Sequence, residues 1–181
     1  MTGRGLPQDF PGGRLRRLRP TDLEAFQAYR SIPELGRYQG WSAMTVVEAA
    51  DFLDEMAEAA LFVPGAWVQI GIADPVTDRL IGDIGAYLSG DGRTGEIGFT
   101  LEPSAQGRGC ATRAVRAALG LMFDRTSVER ILGVTDERNA PSIRLLERLG
   151  FVHVESRQVV FRGEPCTERV YTLSRASLPA P

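Results

Sequence analysis

The sequence passes from a strand to a helix within the segment Leu101-Glu102-Pro103-Ser104-Ala105-Gln106-Gly107-Arg108-Gly109-Cys110-Ala111-Thr112. An apolar strand, Ile97-Gly98-Phe99-Thr100-Leu101, ends before Pro103 because proline has no N–H to donate to a neighbouring strand. Beyond the glycines, apolar residues recur at helical spacing, at positions 111, 115, 118, 119 and 122. Gly107 and Gly109 therefore lie where the first N–H groups of a helix lack internal partners and the helix dipole is positive, an arrangement that binds phosphate.

Two interpretations of this glycine-rich turn are open from the residues alone. Gly109 has no Cβ and lets an anion approach the main chain, while Arg108 adds positive charge. Alternatively, the glycines serve only the geometry of the turn. Two familiar nucleotide motifs do not fit, because a Walker loop requires a lysine, which this chain lacks, and a dinucleotide fingerprint requires a third glycine where Thr112 stands.

The longer pattern Gln106-Gly107-Arg108-Gly109-Cys110-Ala111 resembles the acetyl-CoA pyrophosphate loop, Gln/Arg-x-x-Gly-x-Gly/Ala, of the GNAT superfamily of N-acetyltransferases. Upstream, Glu96-Ile97-Gly98-Phe99 is similar to the central strand of that family. Downstream, the segment Asn139 to Phe151 is similar to its last helix and following strand. The ending from Gly163 to Tyr171 resembles the branch that acetylates the N-termini of ribosomal proteins, and the whole resemblance spans Leu15 to Leu178.

Composition limits the classes of protein that remain. The 181 residues are 43% hydrophobic, which is enough for one domain with a substantial core. A net charge of −2 gives no basic surface for nucleic acid. The two cysteines, Cys110 and Cys166, have neither metal-ligand spacing nor the number of a disulfide framework, so we expect no metal. Residues 1–13 are predicted to be a flexible N-terminus, followed by a GNAT-like domain over residues 14–178.

The sequence also indicates in which cellular compartment the protein lies. Residues 1–13 are rich in glycine and proline and lack the apolar region of a secretory signal. Uninterrupted apolar runs stay far below the roughly 20 residues that span a membrane. We therefore expect a cytoplasmic protein without membrane or nucleic-acid partners, and a homodimer is left open.

The resemblance implies a single α/β (α+β) domain, with a mixed, mainly antiparallel central sheet of about seven strands and helices on both faces. In that family the first two helices wall the acceptor site, which makes Tyr38, Trp41 and Phe62 candidate acceptor contacts; the alternative is that these rings only pack the helices. The acidic residues Asp51, Asp54, Glu55 and Glu58 recur at helical spacing. This pattern favours a solvated helix face, with a cation-attracting rim as the alternative.

The resemblance also implies acetyl-CoA as the cofactor and indicates which residues hold it. The loop and the first helical turn would bind the pyrophosphate, the main chain of the central strand would align with the pantetheine arm, and the next helix would face the thiol end. These positions are Gln106, Gly107, Arg108, Gly109, Cys110, Ala111 and Thr112; Phe99, Thr100 and Leu101; and Asn139 and Ser142.

Proton transfer is the remaining requirement, because an ammonium must lose a proton and a departing thiolate gains from receiving one. Ser142 matches a serine of the ribosomal-protein branch and is our candidate acid, although Asn139 and Ser142 also fit a helix cap. Glu96 is the candidate base and acceptor contact, with simple strand solvation as the alternative. A water chain that ends at Glu96, Glu102 or Asp83 stays open.

These features predict direct transfer of acetyl from acetyl-CoA to a primary amine. The leading acceptor is a protein N-terminal α-amine. A small amine of the aminoglycoside or polyamine type is the alternative acceptor, and a non-catalytic CoA-binding sensor or partner-binding module is the alternative of another class.

Overall fold

The computed structural model describes residues 5–178, in which eight strands and five helices occur. In chain order they are β1 (Gln8–Phe10), β2 (Gly13–Arg17), α1 (Leu23–Arg30), α2 (Pro33–Gly36), α3 (Val46–Glu58), β3 (Trp67–Ala73), β4 (Leu80–Leu88), β5 (Thr94–Leu101), α4 (Cys110–Arg125), β6 (Arg130–Asp136), α5 (Ala140–Arg148), β7 (Val152–Phe161) and β8 (Glu164–Ser174). Single 3₁₀ turns cover Pro20–Asp22, Pro103–Ala105 and Arg175–Ser177.

All eight strands form one sheet, in the order β1-β2-β3-β4-β5-β6-β8-β7. Every neighbouring pair is antiparallel except β5 and β6, which are parallel. The predicted α/β architecture is confirmed, with one strand more than the seven expected. The additional strand is β1, where Gln8 pairs with Leu15. Regular structure therefore begins earlier than the predicted domain boundary at residue 14.

One face of the sheet carries α4 and α5. Glycines let these helices approach closely: a Cβ on Gly95 would lie 2.8 Å from Met122 Cε, and one on Gly133 would lie 2.6 Å from Leu146 Cδ2. The core on this side includes Val115 and fully buried side chains of β3, β4 and α4. The helix that follows the glycine loop is thereby held rigidly on the central strands.

The opposite face carries α1 and α3, packed through Leu18, Phe26, Leu53 and Met56. Helix α3 begins at a capping box: the Thr45 hydroxyl accepts from the Glu48 N–H, and the Glu48 carboxylate accepts from the Thr45 N–H. The acidic side chains of α3 at positions 51, 54, 55 and 58 are exposed, as a solvated helix face requires.

A gap opens in the sheet between β5 and β6. The two strands pair only from Thr94 to Glu96 and separate beyond that point. On the other side of β5, the Glu102 N–H donates to the Ile81 carbonyl over 2.8 Å. Since hydrogen-bonded and non-hydrogen-bonded pairs alternate in an antiparallel ladder, the backbone groups of Phe99 and Leu101 point away from β4 and into the gap.

Candidate active site

The start of α4 forms a cradle of backbone N–H groups. Gly107 and Gly109 have positive φ angles, 78° and 72°, which glycine adopts without strain. Gly109 is the N-cap, no side chain caps the helix, and the first helical bond runs from the Arg113 N–H to the Gly109 carbonyl. The N–H groups of the first turn, from Cys110 to Thr112, are therefore left for a ligand.

A cleft of about 580 Å³ lies between this loop, the end of β5 and α5. It brings together most of the residues predicted to bind the cofactor: Phe99, Thr100, Leu101, Gln106, Gly107, Gly109, Cys110, Ala111, Thr112, Asn139 and Ser142. Arg108 lies on the same loop, but its guanidinium folds back and donates to the Ser104 carbonyl. A Cβ on Gly107 would have open space around it, so the loop leaves room for a bulky anion.

The main chain of β5 presents fewer free groups to the cleft than the sequence predicted. The register directs the Thr100 backbone to β4, and its carbonyl oxygen lies only 2.3 Å from where a Cβ on Gly82 would stand. The expectation that Thr100 offers main-chain bonds is therefore corrected. The Leu101 carbonyl accepts from Gln106 Nε2 over 2.8 Å. The Phe99 carbonyl accepts from Gln39 Nε2 over 3.2 Å.

Helix α5 begins beside the gap with Asn139 and Ser142. The Asn139 side chain accepts from the Ser142 N–H over 3.4 Å and so caps the helix, which is its structural role. The half-buried Ser142 hydroxyl has no hydrogen-bond partner within residues 5–178 and lines the cleft together with Tyr38. The hydroxyl is thus free to reach a ligand.

Several cleft residues were missed by the sequence analysis. Arg144 and Arg148 line the cleft from α5, and Leu35 and Gln39 line it from the α2 region. The four-residue spacing of the arginines, which places both on one helical face next to a phosphate cradle, is a signal that could have found them. Gln39 carried no comparable signal, because only the fold brings it to the central strand.

Glu96 lies at the point where the gap opens, since it is the last residue of β5 that pairs with β6. Burial raises the pKa of its half-buried carboxyl, and the nearby Glu168 raises it further, while Arg157 acts in the opposite direction. A raised pKa keeps a carboxylate closer to the range in which it can accept a proton.

The other two candidate carboxylates are already occupied. Asp83 is buried, where it pairs with Arg30 over 2.7 Å and accepts a hydrogen bond from the Tyr29 hydroxyl. Glu102 is paired with Arg79. Both carboxylates are thus engaged by arginine side chains.

The sequence matches a known family of enzymes. A model of the acetyltransferase (GNAT) domain matches residues 14–152. The chain belongs to the GNAT acetyltransferase family. It is 31% identical over 162 residues to the uncharacterised N-acetyltransferase YoaA of Bacillus subtilis (strain 168), an alignment that covers 88% of this chain and 91% of that protein. The family establishes this chain as an N-acetyltransferase.

Solved GNAT structures share the fold at low sequence identity. The ribosomal-protein-S5-alanine acetyltransferase of Vibrio fischeri superposes with a TM-score of 0.81 at 18% identity and covers 97% of this chain and 100% of its own. The spermidine N-acetyltransferase of Vibrio cholerae, in complex with CoA and spermine, superposes with a TM-score of 0.79 at 17% identity and covers 93% and 98%. These two neighbours act on different acceptors by name, so the fold alone does not separate a protein from a polyamine.

The aromatic residues predicted to contact the acceptor in this GNAT domain differ in position. Tyr38 lies in the cleft, with the guanidinium of Arg138 5.7 Å from its ring. The Trp41 ring packs under Arg30 at 4.3 Å, and its indole N–H donates to the Thr100 hydroxyl over 3.3 Å. Phe62 is buried in the core, so the expectation that it contacts the acceptor is wrong.

The two cysteines of the GNAT domain do not favour nucleophilic chemistry. Cys110 and Cys166 are free and buried, and burial raises the pKa of both thiols, which disfavours the nucleophilic thiolate. Within residues 5–178, no group of three or more potential metal ligands comes together. None of the helices described there is long and apolar enough to cross a membrane.

Proposed function

We propose that this GNAT acetyltransferase uses acetyl-CoA and transfers the acetyl group directly to a primary amine, with a protein N-terminal α-amine as its preferred acceptor. The observation that carries the proposal is the combination of an uncapped helix start with a gap in the adjacent sheet. The first feature suits a pyrophosphate and the second suits an extended arm with amide groups.

The residues present fit such a cofactor. The N–H groups from Cys110 to Thr112 would bind the pyrophosphate, and Arg144 and Arg148 would supply the positive charge that Arg108 does not bring into the cleft. The gap-facing backbone groups of Phe99 and Leu101 would bind the arm. When bound, acetyl-CoA supplies a thioester that an amine can attack.

Two side chains would handle the protons. Glu96 would accept the proton of the acceptor ammonium, directly or through a water molecule, because it lies where the gap opens and its pKa is raised. Ser142 would donate a hydrogen bond to the leaving sulfur from the start of α5, where its hydroxyl has no other partner within residues 5–178.

A peptide is favoured as acceptor by the distribution of charge. An acceptor with several positive charges gains from several free carboxylates close to the reaction centre. Asp83 and Glu102 are already paired, and the α3 carboxylates point to solvent. Glu96 remains, next to Glu168, which lies 3.8 Å from the Arg157 guanidinium; this suffices for a single ammonium group.

A polyamine is the second candidate, and one feature favours it. A depression of about 660 Å³ lies beside Trp41 and Phe52, and Glu48, Asp51 and Glu55 line it. Its carboxylates belong to the exposed face of α3, and its aromatic rings offer a surface on which cations pack. Such a depression could attract a polycation from outside the cleft.

Steady-state kinetics on two acceptor panels distinguishes these acceptors. Short peptides with free N-termini and a set of polyamines and aminoglycosides are assayed with acetyl-CoA by release of the free thiol, at low and at high salt. We expect the best peptide to exceed the best polycation in kcat/KM. A tenfold advantage of the polycations, about 1.4 kcal/mol in transition-state binding, would overturn the peptide assignment. Loss of that advantage in salt would show that exposed carboxylates, such as those of α3, attract the polycation.

A further inference from the structure

An aromatic pair of one exposed and one half-buried ring lies on the α1/α3 face of the sheet, in the same cross-strand row as Glu96. Trp67 of β3 pairs with Tyr87 of β4, and Tyr87 pairs with Glu96 of β5. The two rings lie 5.4 Å apart at 37°, and Trp67 is 47% exposed. Residues directly opposite on neighbouring strands point to the same face, so this row leads from an apolar surface to the candidate base.

The next row of the sheet contains two glycines and leaves open space at its β5 end. It consists of Gln69, Gly85 and Gly98. A Cβ on Gly98 would meet nothing within 4 Å, so the space above it is open. The Gln69 Oε1 atom is buried and has no hydrogen-bond partner within residues 5–178. A Cβ on Gly85, by contrast, would lie 3.0 Å from Gln69 Nε2 and 3.3 Å from Trp67 Cζ3, so these two side chains cover Gly85. The trough is therefore open above Gly98 and is bounded by the Gln69 amide and the Trp67 ring.

The following row closes the trough on its far side. There Asp83 and Thr100 are covered by Arg30 and Trp41. At the other end, Glu168 lies close enough to Glu96 for the two charges to repel, with Arg157 near both. The trough thus has an aromatic end, a carboxylate end and a wall made by the α1–α3 region.

We propose that this trough binds the part of the acceptor that follows its reacting amine, and that it selects an aromatic or large apolar side chain, which packs on Trp67. Glu96 and Glu168 hold the ammonium group at the opening of the gap. This inference rests on the proposed function and names the class of peptide that the site prefers. Gly98 leaves open space for the acceptor backbone beside Glu96, and the Trp67 ring, which lies over Gly85, offers the apolar contact.

The spacing of the strands determines which side chain of the peptide acceptor contacts Trp67. Trp67 lies two strands from Glu96, or about 10 Å, because neighbouring strands lie about 4.8 Å apart. An extended peptide advances roughly 3.3 Å per residue. With the α-amine at Glu96, the side chain of the second or third residue therefore reaches Trp67.

Kinetics on matched peptides tests this inference. Two series with free N-termini carry glycine, leucine or phenylalanine at the second or at the third position. The wild-type enzyme should prefer phenylalanine or leucine over glycine at one of these positions by roughly fivefold in kcat/KM, the scale of an aromatic contact. Trp67→Ala should remove the preference, so that phenylalanine, leucine and glycine peptides react alike, whereas Trp67→Phe should retain it. Val76→Ala, at an 89% exposed residue of the β3–β4 turn, is the control.

Binding of a simple amine separates failure of this inference from failure of the proposed acceptor. Saturation-transfer NMR compares 4-phenylbutylamine with n-butylamine on the wild-type enzyme and on Trp67→Ala. If no peptide is acetylated but the aryl amine binds better and loses its advantage in the variant, the trough stands and the peptide assignment falls. A preference that survives Trp67→Ala, or equal treatment of glycine and phenylalanine peptides, overturns the inference.

Discussion

The Gln39 side-chain amide donates a hydrogen bond over 3.2 Å to the Phe99 carbonyl oxygen, a group that faces the gap between β5 and β6. The Gln39 amide thus occupies the hydrogen-bonding position on the Phe99 carbonyl that the proposed arm of acetyl-CoA would need. The Gln39 main-chain carbonyl, in turn, accepts from Arg162 at the tip of the β7–β8 hairpin over 3.0 Å. Hydrogen bonds therefore connect the β7–β8 hairpin to Gln39 and Gln39 to the central strand β5.

Removal of the Gln39 amide should make the Phe99 carbonyl freely available. We expect Gln39→Ala to bind acetyl-CoA up to about fivefold more tightly, because one competing hydrogen bond has a net value of about 1 kcal/mol. Isothermal titration calorimetry measures the change. Gln158→Ala, which removes an exposed glutamine bonded to Thr167 on the hairpin, is the matched control. Weaker binding by Gln39→Ala would mean that the amide contacts the cofactor instead of competing with it.

Gly107→Ala tests the phosphate cradle. The new Cβ would project into open space at a φ of 78°, where an L-residue costs about 1–2 kcal/mol. We expect a lower melting temperature without ligand and a much smaller rise in melting temperature on addition of acetyl-CoA, since only ligand bound to the native state stabilises it.

The matched control for this loop is Gly92→Ala in the β4–β5 turn. Gly92 has a φ of 71° and equally open space, but it lies outside the cleft. Its melting temperature without ligand should fall by a similar amount while the shift caused by acetyl-CoA stays at the wild-type value. Equal ligand shifts in both glycine variants would remove the loop from the binding site.

Ser142→Ala should lower kcat by about 10²-fold, the low end for a positioned proton donor. The affinity for acetyl-CoA and the melting temperature should change little, because the helix is capped by the Asn139 side chain and the Ser142 N–H. Tyr38→Phe is measured beside it, since Tyr38 lines the same cleft. An unchanged kcat in Ser142→Ala, with a loss in Tyr38→Phe, would transfer the role of acid to the tyrosine.

Glu96→Gln should abolish most of the activity and its dependence on pH. In the wild-type enzyme kcat/KM should rise with pH through a pKa above the usual range of glutamate, because burial and then Glu168 raise the pKa of Glu96. That rise and most of the activity should disappear in the variant. Glu129→Gln, which breaks an exposed pair with Arg93, should keep the wild-type profile.

The raised pKa of Glu96 also determines how the stability of the fold changes with pH. Folding favours the neutral Glu96 carboxyl, so its favourable contribution is present at low pH and is lost as the pH rises through the folded-state pKa. Glu96→Gln removes that loss. Its melting temperature should equal or exceed that of the wild type at pH 8, and the difference should vanish near pH 4. A markedly lower melting temperature at pH 8 would show that Glu96 makes a stabilising contact.

The part of the site that local sequence encodes was predictable. Gly107 and Gly109 stand between a strand pattern and a helix pattern, and Asn139 precedes a proline at the next helix, so backbone geometry follows from neighbouring residues. Gln39 was not predictable as a cleft residue, because only the packing of the α2 region brings it to β5. The position of Trp67 in the row of Glu96 was not predictable either, because it depends on the sheet order. The prediction that the Thr100 main chain faces the cofactor was wrong for a related reason. The direction in which each backbone group of β5 points depends on the register with β4.

The gap between β5 and β6 has a consequence for local dynamics. Central strands of a sheet usually hold the amides that exchange most slowly with solvent. Here the middle of the sheet contains backbone groups of β5 that lack a partner strand, so the Phe99 and Leu101 amides should exchange with deuterium faster than those of β4. A ligand that fills the gap would complete the ladder and protect them, which makes the centre of the domain its most ligand-dependent region.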